Sequence, residues 1–293
     1  MDYIAKRKSF YLFSGLIIAL SLGGLIILGL NWGIDFTGGT FWEVSLSSWN
    51  NEKIEQVNTF LKTQDIGQVS IQKAGEANII LRLSTINEEK HQQVLKDLQK
   101  EFPSLQEKRF DSIGPSIGQG LRRRSIWAVL LVFIGILLYL SYAFRHSSFR
   151  IPSYRYGSLA VLALLHDAAF VVGLFVFLGK FQGWEVNSDF IVAILVVTGY
   201  SVHDTIVVFD RIRENLALKS KETLQNIINI SISQTIIRSL NTSLTTLLPL
   251  LALYFWGPIS MKVLVSAMIG GVVIGTYSSL FIAPTLLFDW QKR

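Results

Sequence analysis

Six long apolar stretches constrain this chain more than any other feature of its sequence. Crossing the hydrocarbon core of a bilayer takes a helix of about 20 mostly apolar residues. The stretches lie at residues 9–30, 126–144, 157–179, 190–209, 237–256 and 263–288. Half of the 293 residues are hydrophobic, only 16% are charged, and the mean hydropathy is +0.42. We therefore predict an α-helical membrane protein built on a six-helix transmembrane bundle.

The first apolar stretch follows Lys6, Arg7 and Lys8, as the apolar run of a signal peptide would. It is longer than the roughly 7–15 apolar residues of a signal peptide, and no small-residue cleavage site follows it. We therefore predict a retained transmembrane helix.

Lys and Arg residues in short loops predict the orientation in the membrane, because they are enriched on the cytoplasmic side. The short loops on the other side hold only Lys180 and Lys262. Both termini are therefore predicted to be cytoplasmic. A cluster at 122–124 disagrees, but it ends a connection of about 95 residues, and long translocated segments largely escape the rule. The basic residues assigned to the cytoplasmic side are Lys6, Arg7, Lys8, Arg145, Arg150, Arg155, Arg211, Arg213, Lys219, Lys221, Lys292 and Arg293.

The net charge of +6 and the lack of cysteine exclude some classes of function. The basic residues flank apolar stretches instead of forming a continuous patch, so membrane orientation explains them better than nucleic acid binding does. A chain without cysteine has no disulfide, no catalytic thiolate and no Cys-ligated zinc.

The segment between the first and second stretches predicts a small α+β domain. Its elements follow the order βαββαβ, which is the ferredoxin-like pattern. We divide the chain into an N-terminus with the first transmembrane helix (1–30), an extracytoplasmic ferredoxin-like domain with linkers (31–121), and transmembrane helices two to six (122–293). The predicted strands are Thr40–Leu46, Val69–Gln72, Ile79–Leu83 and Leu105–Phe110, the helices are Asn51–Thr63 and Asn87–Phe102, and a turn holds Gly75, Ala77 and Asn78.

The predicted domain holds no catalytic cluster. Its only histidine, His91, is expected to be a solvated residue on a charged helix face. The exposed sheet edge could bind an extended polypeptide, or the domain could serve as a rigid spacer or as a docking surface for another subunit. The sequence does not distinguish among these three roles.

Of the ionisable residues within the apolar stretches, three matter most: Asp167, Asp204 and Arg238. Such groups cost roughly 2.5–3.5 kcal/mol on insertion scales, so each is a functional candidate. If the fourth and fifth helices are antiparallel neighbours, Asp204 and Arg238 lie at similar depths. A relay in which Asp204 takes up and releases protons as Arg238 moves is one interpretation, with Asp167 as a further relay residue. A static salt bridge is the other.

Polar residues recur on one face of each of these two helices. Residues three and four apart share a helix face, and we expect both faces to point into the bundle. The supporting polar residues are Tyr200 and Ser201 on the fourth helix, and Asn241, Thr242 and Thr245 beside Arg238 on the fifth.

His166 and His203 each precede an aspartate. Adjacent helical residues point about 100° apart, so we expect neither histidine to share the direction of its neighbour. No local spacing of metal ligands is present. Small residues recur every fourth position at Ala267, Gly271, Gly275 and Ser279, and more briefly at Gly15, Ala19 and Gly23, which predicts close helix contacts.

Five stretches resemble motifs of the SecF family of protein-export membrane proteins, which belongs to the SecD/SecF group of the RND-like superfamily. They occur in family order over nearly the whole chain, and the fourth is long and specific. They are Gly33–Thr40 (GIDFTGGT), Ser112–Gly118 (SIGPSIG), Leu165–Asp167 (LHD), Gly199–Asn215 (GYSVHDTIVVFDRIREN) and Ser231–Thr246 (SISQTIIRSLNTSLTT).

This resemblance implies a non-enzymatic subunit of the Sec pathway in the bacterial inner membrane, with protons as the coupling ion and no other cofactor. The implied partners are a separate SecD subunit, the SecYEG channel, the SecA motor, YajC, membrane lipid and the translocating unfolded polypeptide. The acid of the family maps onto Asp204 and its basic partner onto Arg238. His203 departs from the Asn or other polar residue that we associate with its position.

Two other classes of function stay open at this point. One is half of an RND-type exporter of small molecules or lipids, although a domain of about 70 residues is small for an obvious ligand pocket. The other is a structural assembly factor of the translocase in which Asp204 and Arg238 hold helices together. The sequence also leaves open whether the membrane is plasma or thylakoid.

Overall fold

The computed structural model describes residues 2–64, 66–74, 77–145, 151–219, 221–258 and 261–292. Gly75, Arg150 and Arg293, which the sequence predictions used, lie outside the described residues. The chain divides into two compact units. One comprises Trp32–Ile126, and the other comprises Met1–Asn31 together with Trp127–Arg293.

The smaller unit is an antiparallel four-stranded sheet with two amphipathic helices. The strands lie in the order β2-β3-β1-β4, with every neighbouring pair antiparallel. The predicted βαββαβ order is confirmed, and a short helix, α2, precedes it. The elements are α2 (Ile34–Thr37), β1 (Gly39–Ser45), α3 (Asn51–Thr63), β2 (Val69–Lys73), β3 (Asn78–Leu83), α4 (Glu88–Glu101) and β4 (Gln106–Ile113).

Local sequence explains both helices and the core of this unit. The side chains of Asn50 and Asn87 accept hydrogen bonds from the backbone N–H groups of Lys53 and Lys90, which caps α3 and α4. Strand residues alternate between the two sheet faces, and the inward ones pack against the helices. This core includes Trp42, Val44, Ile79 and Leu81 from the strands and Val57, Leu61, Val94 and Leu98 from the helices.

Two of the sequence motifs meet within the smaller unit. Gly38 and Gly39 have φ values of 77° and 128°, which residues with a Cβ rarely adopt. A Cβ on Gly38 would lie 2.7 Å from Cα of Pro115, and one on Gly118 would lie 2.9 Å from the Gly38 backbone nitrogen. The two motifs therefore form one close backbone contact that leaves no space for side chains.

The larger unit is a bundle of long apolar helices, and the prediction of six candidate membrane spans is confirmed. The helices extend beyond the apolar stretches because polar turns continue them at one or both ends. They are α1 (Arg7–Leu28), α5 (Pro115–Ala143, which begins in the smaller unit), α6 (Ser153–Gln182), α7 (Ser188–Leu218), α8 (Leu224–Trp256), and α9 (Lys262–Tyr277) continued by α10 (Ala283–Lys292).

The small-residue stripe of α9 makes the close contact that the sequence predicted. A Cβ on Gly271 would lie 2.3 Å from Cγ1 of Val197, and one on Gly275 would lie 2.9 Å from Cβ of Ser201. Because no side chain fits between them, α9 and α7 pack with their backbones close together.

The corresponding prediction for α1 is wrong within this chain. A Cβ added to Gly15 or to Gly23 would meet no other described atom within 4 Å. Instead, α1 packs through Ser21, whose Oγ lies 2.1 Å from where a Cβ on Gly173 of α6 would be. The face of α1 that packs against α6 is therefore the one that carries Ser21, and Gly15 and Gly23 lie outside this contact.

A π-helical turn, Ser278–Ile282, joins α9 to α10. Such turns insert one extra residue into a helix and occur frequently at functional sites. Here the turn places Ser278 in the interior, fully buried.

Candidate functional site

Asp167 lies at the centre of a buried hydrogen-bonded cluster that joins three elements. It is 2% exposed. Its Oδ2 atom accepts hydrogen bonds from Ser201 Oγ of α7 at 2.6 Å and from Ser278 Oγ of the π-helical turn at 2.8 Å. The two hydroxyl groups satisfy this buried carboxyl oxygen with hydrogen bonds. Asp167 thus connects α6, α7 and the turn after α9 through one carboxylate.

His166 also belongs to this cluster, although we expected the histidine not to share the direction of Asp167. Its Nδ1 atom lies 2.9 Å from Asp167 Oδ1, and the residue is 5% exposed. Adjacent side chains leave a helix in directions about 100° apart. The side-chain rotamers of His166 and Asp167 nevertheless bring Nδ1 and Oδ1 into contact. No described residue provides a hydrogen-bond partner for the buried His166 Nε2 atom.

Asp204 is buried one turn beyond Ser201 on α7, with 3% of its surface exposed. Its Oδ2 atom has no hydrogen-bond partner among the described residues, and neither does the buried Oγ of Ser239. The groups that act on the carboxylate are His203, Arg238 and Ser239. Asp204 is therefore a buried acid that lies near a guanidinium without forming an ion pair with it among the described residues.

Arg238 does not point into the bundle of this chain, and the predicted direction of its helix face is wrong. Arg238, Asn241 and Thr245 are exposed, and Thr242 is half-buried. Hydroxyls of Thr242 and Thr245 donate to backbone carbonyls of their own helix, at Arg238 and Asn241. Within the described residues no ion pair joins Arg238 to Asp204, although the guanidinium is near enough to act on the acid.

The inner face of α8 is instead a stripe of small hydroxyl residues that the sequence reasoning missed. The signal was a strict spacing of four residues. Tyr200 of α7 donates to Ser243 Oγ at 3.0 Å, and Ser243 in turn shares a hydrogen bond with Thr276 of α9. The buried residues of the stripe are Ser231, Thr235, Ser239 and Ser243.

The fourth and fifth sequence motifs also meet at the other end of α7. Buried Asn215 donates from Nδ2 to Ser231 Oγ and to Gln234 Oε1, each at 2.9 Å. Arg211 Nε donates to the same Gln234 oxygen at 2.6 Å. This amide cluster joins α7 to α8 near the ends that the chain connects.

His91 of the smaller unit is buried, so the prediction of a solvated surface residue is wrong. It is 2% exposed, and its ring stacks on Phe110 with the centroids 3.6 Å apart. Its Nε2 atom lies 2.6 Å from Glu107 Oε2, and its Nδ1 atom lies 3.2 Å from Glu88 Oε1. A spacing signal existed, because His91, Val94 and Leu98 fall on one helix face.

The described residues contain no group of three or more His, Cys, Asp or Glu side chains that could hold a metal ion. What the bundle offers is a set of buried hydroxyls around two aspartates. Such a set can hold, bind or release protons at Asp204 and at the His166–Asp167 pair.

Comparison with known families matches two models to this chain. The model described as protein export membrane protein SecD/SecF, C-terminal, matches residues 93–293. The SecD/SecF GG motif matches residues 23–40, which include Gly38 and Gly39.

Relatives match over the whole chain. The protein translocase subunit SecF of Thermobaculum terrenum is 42% identical, covering all of this chain and 95% of the relative. The SecF subunit of Haemophilus influenzae is 33% identical, covering all of this chain and 86% of the relative. The protein translocase subunit SecDF of Thermus thermophilus is 34% identical over 95% of this chain, which matches 37% of that longer protein.

Solved structures of related proteins have the same fold as this chain. The crystal structure of SecDF from Thermus thermophilus, a translocon-associated membrane protein, superposes with a TM-score of 0.82 at 33% identity, covering all of this chain and 39% of that one. A heavy metal efflux pump, 18% identical with a TM-score of 0.50 over 74% of this chain and 21% of the pump, shares the fold alone. The chain is a multi-pass membrane protein that belongs to the SecF family of protein translocase subunits, which act in protein export.

Proposed function

We propose that this SecF-family subunit uses the proton motive force to promote export of polypeptides, with Asp204 as the acid that carries the proton and Arg238 as its partner. The observation that carries the proposal is the state of Asp204. It is a buried carboxylate with one oxygen unpartnered among the described residues, and a buried charge without a fixed partner is costly. Proton uptake removes that charge, so the site has a physical reason to exchange protons.

Arg238 supplies the coupling in this mechanism. When Asp204 is ionised it attracts the guanidinium of α8, and when it is protonated that attraction is lost. The hydroxyl stripe of α8 lets that helix shift against α7, since small side chains permit close approach and sliding. Each protonation change at Asp204 therefore alters the preferred position of α8.

A SecD-type partner completes the site in our proposal. The exposed face of α8 carries Arg238, Asn241 and Thr245 at a depth where lipid would leave a charge unsolvated. A second subunit packed there shields this face from lipid. The relative named SecDF supports this arrangement, because the present chain accounts for only 37% of its length.

The family resemblance supports the remaining assignments. We place the chain in the bacterial plasma membrane with both termini in the cytoplasm and the domain of residues 31–121 outside. SecYEG, SecA and YajC are the further partners in this proposal, and the substrate is an unfolded polypeptide in transit. In this role the chain catalyses no covalent reaction, and protons are its only coupling ion.

The test compares two acids on the same helix. Asp204→Asn removes the buried acid with little change of shape, whereas Asp210→Asn removes an exposed acid paired with Arg213 at 2.9 Å. In membrane vesicles containing the assembled complex, we expect Asp204→Asn to abolish the part of export that depends on the proton gradient. Asp210→Asn should keep it. Undiminished gradient-dependent export by Asp204→Asn would overturn the relay.

The structural alternative, in which Asp204 and Arg238 hold helices together, has its own test. The exchange Asp204→Arg with Arg238→Asp keeps opposite charges on the two helices. If the pair is only a structural contact, the exchanged protein should retain export. The relay predicts that export stays lost while the complex still assembles, because an arginine at the buried position does not release its proton.

A further inference from the structure

We propose that the His166–Asp167 pair is a second proton-holding site, and that its proton binds at His166 Nε2. The proposal rests on the proposed function, since it identifies a further atom that carries a coupling proton. It starts from a buried polar atom that the Asp204 site does not use.

The hydrogen bonds around Asp167 are the basis for assigning the protons of the pair. Oδ2 accepts from two hydroxyl groups, those of Ser201 and Ser278, which suits an ionised carboxylate. With Asp167 assigned as the ionised acid, which has no proton to donate, the hydrogen of the 2.9 Å contact between His166 Nδ1 and Asp167 Oδ1 is on Nδ1. In a neutral imidazole the other nitrogen, Nε2, is then a bare acceptor.

That acceptor has no donor within the part of the chain that the structure describes, although it is buried. His166 is 5% exposed and Asp167 is 2% exposed. The neutral histidine and the ionised aspartate together carry one negative charge in a site shielded from water. A proton from water that adds to the lone pair on Nε2 keeps the Nδ1–H bond to Asp167 and brings the charge of the pair to zero.

The titratable groups on elements packed against α6 make named contacts of their own. The ring of Tyr277 on α9 lies 6.4 Å from that of His166, and its hydroxyl donates to the Phe10 carbonyl of α1. Arg7 and Tyr11 of α1 both bond Asp289 of α10. On α7, Asp204 lies one turn beyond Ser201. None of these bonds occupies His166 Nε2, so that nitrogen remains open.

Protonation of His166 also changes the contacts that Asp167 makes between helices. Hydrogen bonds to an ionised carboxylate are strong because they are charge-assisted. An imidazolium beside Asp167 competes for its charge and so weakens the bonds to Ser201 and Ser278. Those bonds join α6 to α7 and to the π-helical turn, so the proton at His166 loosens the same helix, α7, that carries Asp204.

The experiment is nuclear magnetic resonance on the full chain, assembled with its SecD-type partner in lipid bilayers and labelled with ¹³C and ¹⁵N in histidine. The chain has four histidines, and the signals lost in His166→Gln identify those of His166. We expect neutral His166 to carry its hydrogen on Nδ1, and the doubly protonated form to appear as the pH is lowered. A neutral ring with hydrogen on Nε2, or a ring that takes up no second proton, would overturn the proposal.

Asp167→Asn sharpens the result, because it keeps the shape of the acid but removes its charge. We expect the doubly protonated His166 signal to disappear in this variant and to persist in the control Asp210→Asn. A titration of His166 that is unchanged by Asp167→Asn would contradict the pair as the proton-holding unit. If that variant does not assemble, the position of the hydrogen on the neutral His166 ring of the unmodified protein still supports or overturns the proposal.

This spectroscopic readout separates the inference from the proposed function. Failure of Asp204→Asn to affect export would contradict the relay while leaving the His166 titration intact. A His166 ring that takes up no second proton would contradict the second site while leaving the Asp204 relay intact. In the export assay, we expect His166→Gln to reduce gradient-dependent export several-fold and His203→Gln, at an exposed position, to reduce it less. Equal export by His166→Gln and the unmodified protein would also overturn the second site.

Discussion

His91 in the smaller unit and His166 in the bundle are both buried against a carboxylate, yet they differ in their second nitrogen. Both ring nitrogens of His91 lie on carboxylates, at 2.6 Å from Glu107 and 3.2 Å from Glu88. Only one nitrogen of His166 has a partner among the described residues, and the other is buried without one. His91 is therefore a structural contact between α4 and β4 in which both ring nitrogens have partners. His166 has one ring nitrogen that is still able to bind a proton.

The same difference extends beyond the two histidines. The smaller unit also joins neighbouring strands through closed side-chain contacts such as Trp42 Nε1 of β1 to Glu107 Oε2 of β4 at 2.8 Å. The bundle keeps further buried polar atoms without partners within the described chain, including Asp204 Oδ2 and Ser239 Oγ. Unsatisfied buried groups are costly, so their concentration around α6, α7 and α8 indicates that this region exchanges protons or partners during its work.

The largest effect that would test this comparison is expected from Asp167→Ala. The change removes the acceptor of His166, Ser201 and Ser278 together, and breaking a buried pair in this way costs about 4 kcal/mol. Thermal unfolding of the purified complex should show a clear loss of stability. Asp210→Ala, which removes an exposed ion pair, should cost about 0.5 kcal/mol. Similar losses in the two variants would show that the Asp167 cluster is not a central contact.

His91→Leu should have the next largest effect, and only in the smaller unit. It leaves Glu107 with one donor fewer. The expected cost is about 3 kcal/mol, at the low end for a broken buried pair, because 29% of the Glu107 side chain is exposed. Hydrogen exchange of the amides in α4 and β4 should speed up accordingly. Loss of gradient dependence in the export that remains would contradict a purely structural role for His91.

The substitution Gly271→Ala tests whether the bundle has unpartnered polar atoms only because its helices are loosely packed. The new methyl group would lie 2.3 Å from Val197 Cγ1, and overpacking of this kind costs on the order of 2 kcal/mol. Gly15→Ala is the matched control, because its Cβ meets nothing within 4 Å. Equal thermal stability of the two variants would indicate that α9 and α7 are loosely packed and that the unpartnered atoms have no special meaning.

The smallest effect concerns pH and Glu88. Hydrogen bonds from Gln92 and His91 hold the pKa of Glu88 below its usual value of 4.5. Because the folded pKa is the lower one, the stabilisation is present above pH 4.5 and is lost as the pH falls through the folded pKa. Hydrogen exchange at the start of α4 should reveal this loss, and Gln92→Ala should weaken the pH dependence. The neighbouring Gln93→Ala should not, and equal profiles would contradict the assignment.

Much of the fold could be predicted from the sequence, because apolar length and residue periodicity determine it. Six stretches long enough to cross a bilayer became six long helices, and the apolar, strand-like stretch Thr40–Leu46 became strand β1, Gly39–Ser45. The boundaries differed where polar turns such as Leu224–Ile236 continued a helix beyond its apolar core. The short helix Ile34–Thr37 was missed because four residues carry no periodic signal.

The candidate site was only partly predictable, because a helix with two polar faces does not reveal which one is packed. Helix α8 turns its stripe of serines and threonine inward and leaves Arg238 exposed. The packed face is the one with the smaller side chains, which allow a close approach to α7 and α9. The contact between His166 and Asp167 depends on side-chain rotamers, which residue spacing does not report.

The most direct test of the account is whether the Asp204 carboxyl group gains and loses a proton. Infrared difference spectra of the assembled complex in lipid, recorded as the proton gradient is imposed, detect the carbonyl stretch of a protonated carboxylic acid. We predict a band that is lost in Asp204→Asn and retained in Asp210→Asn. A difference spectrum with the same carboxyl band in Asp204→Asn as in the unmodified protein would contradict the account.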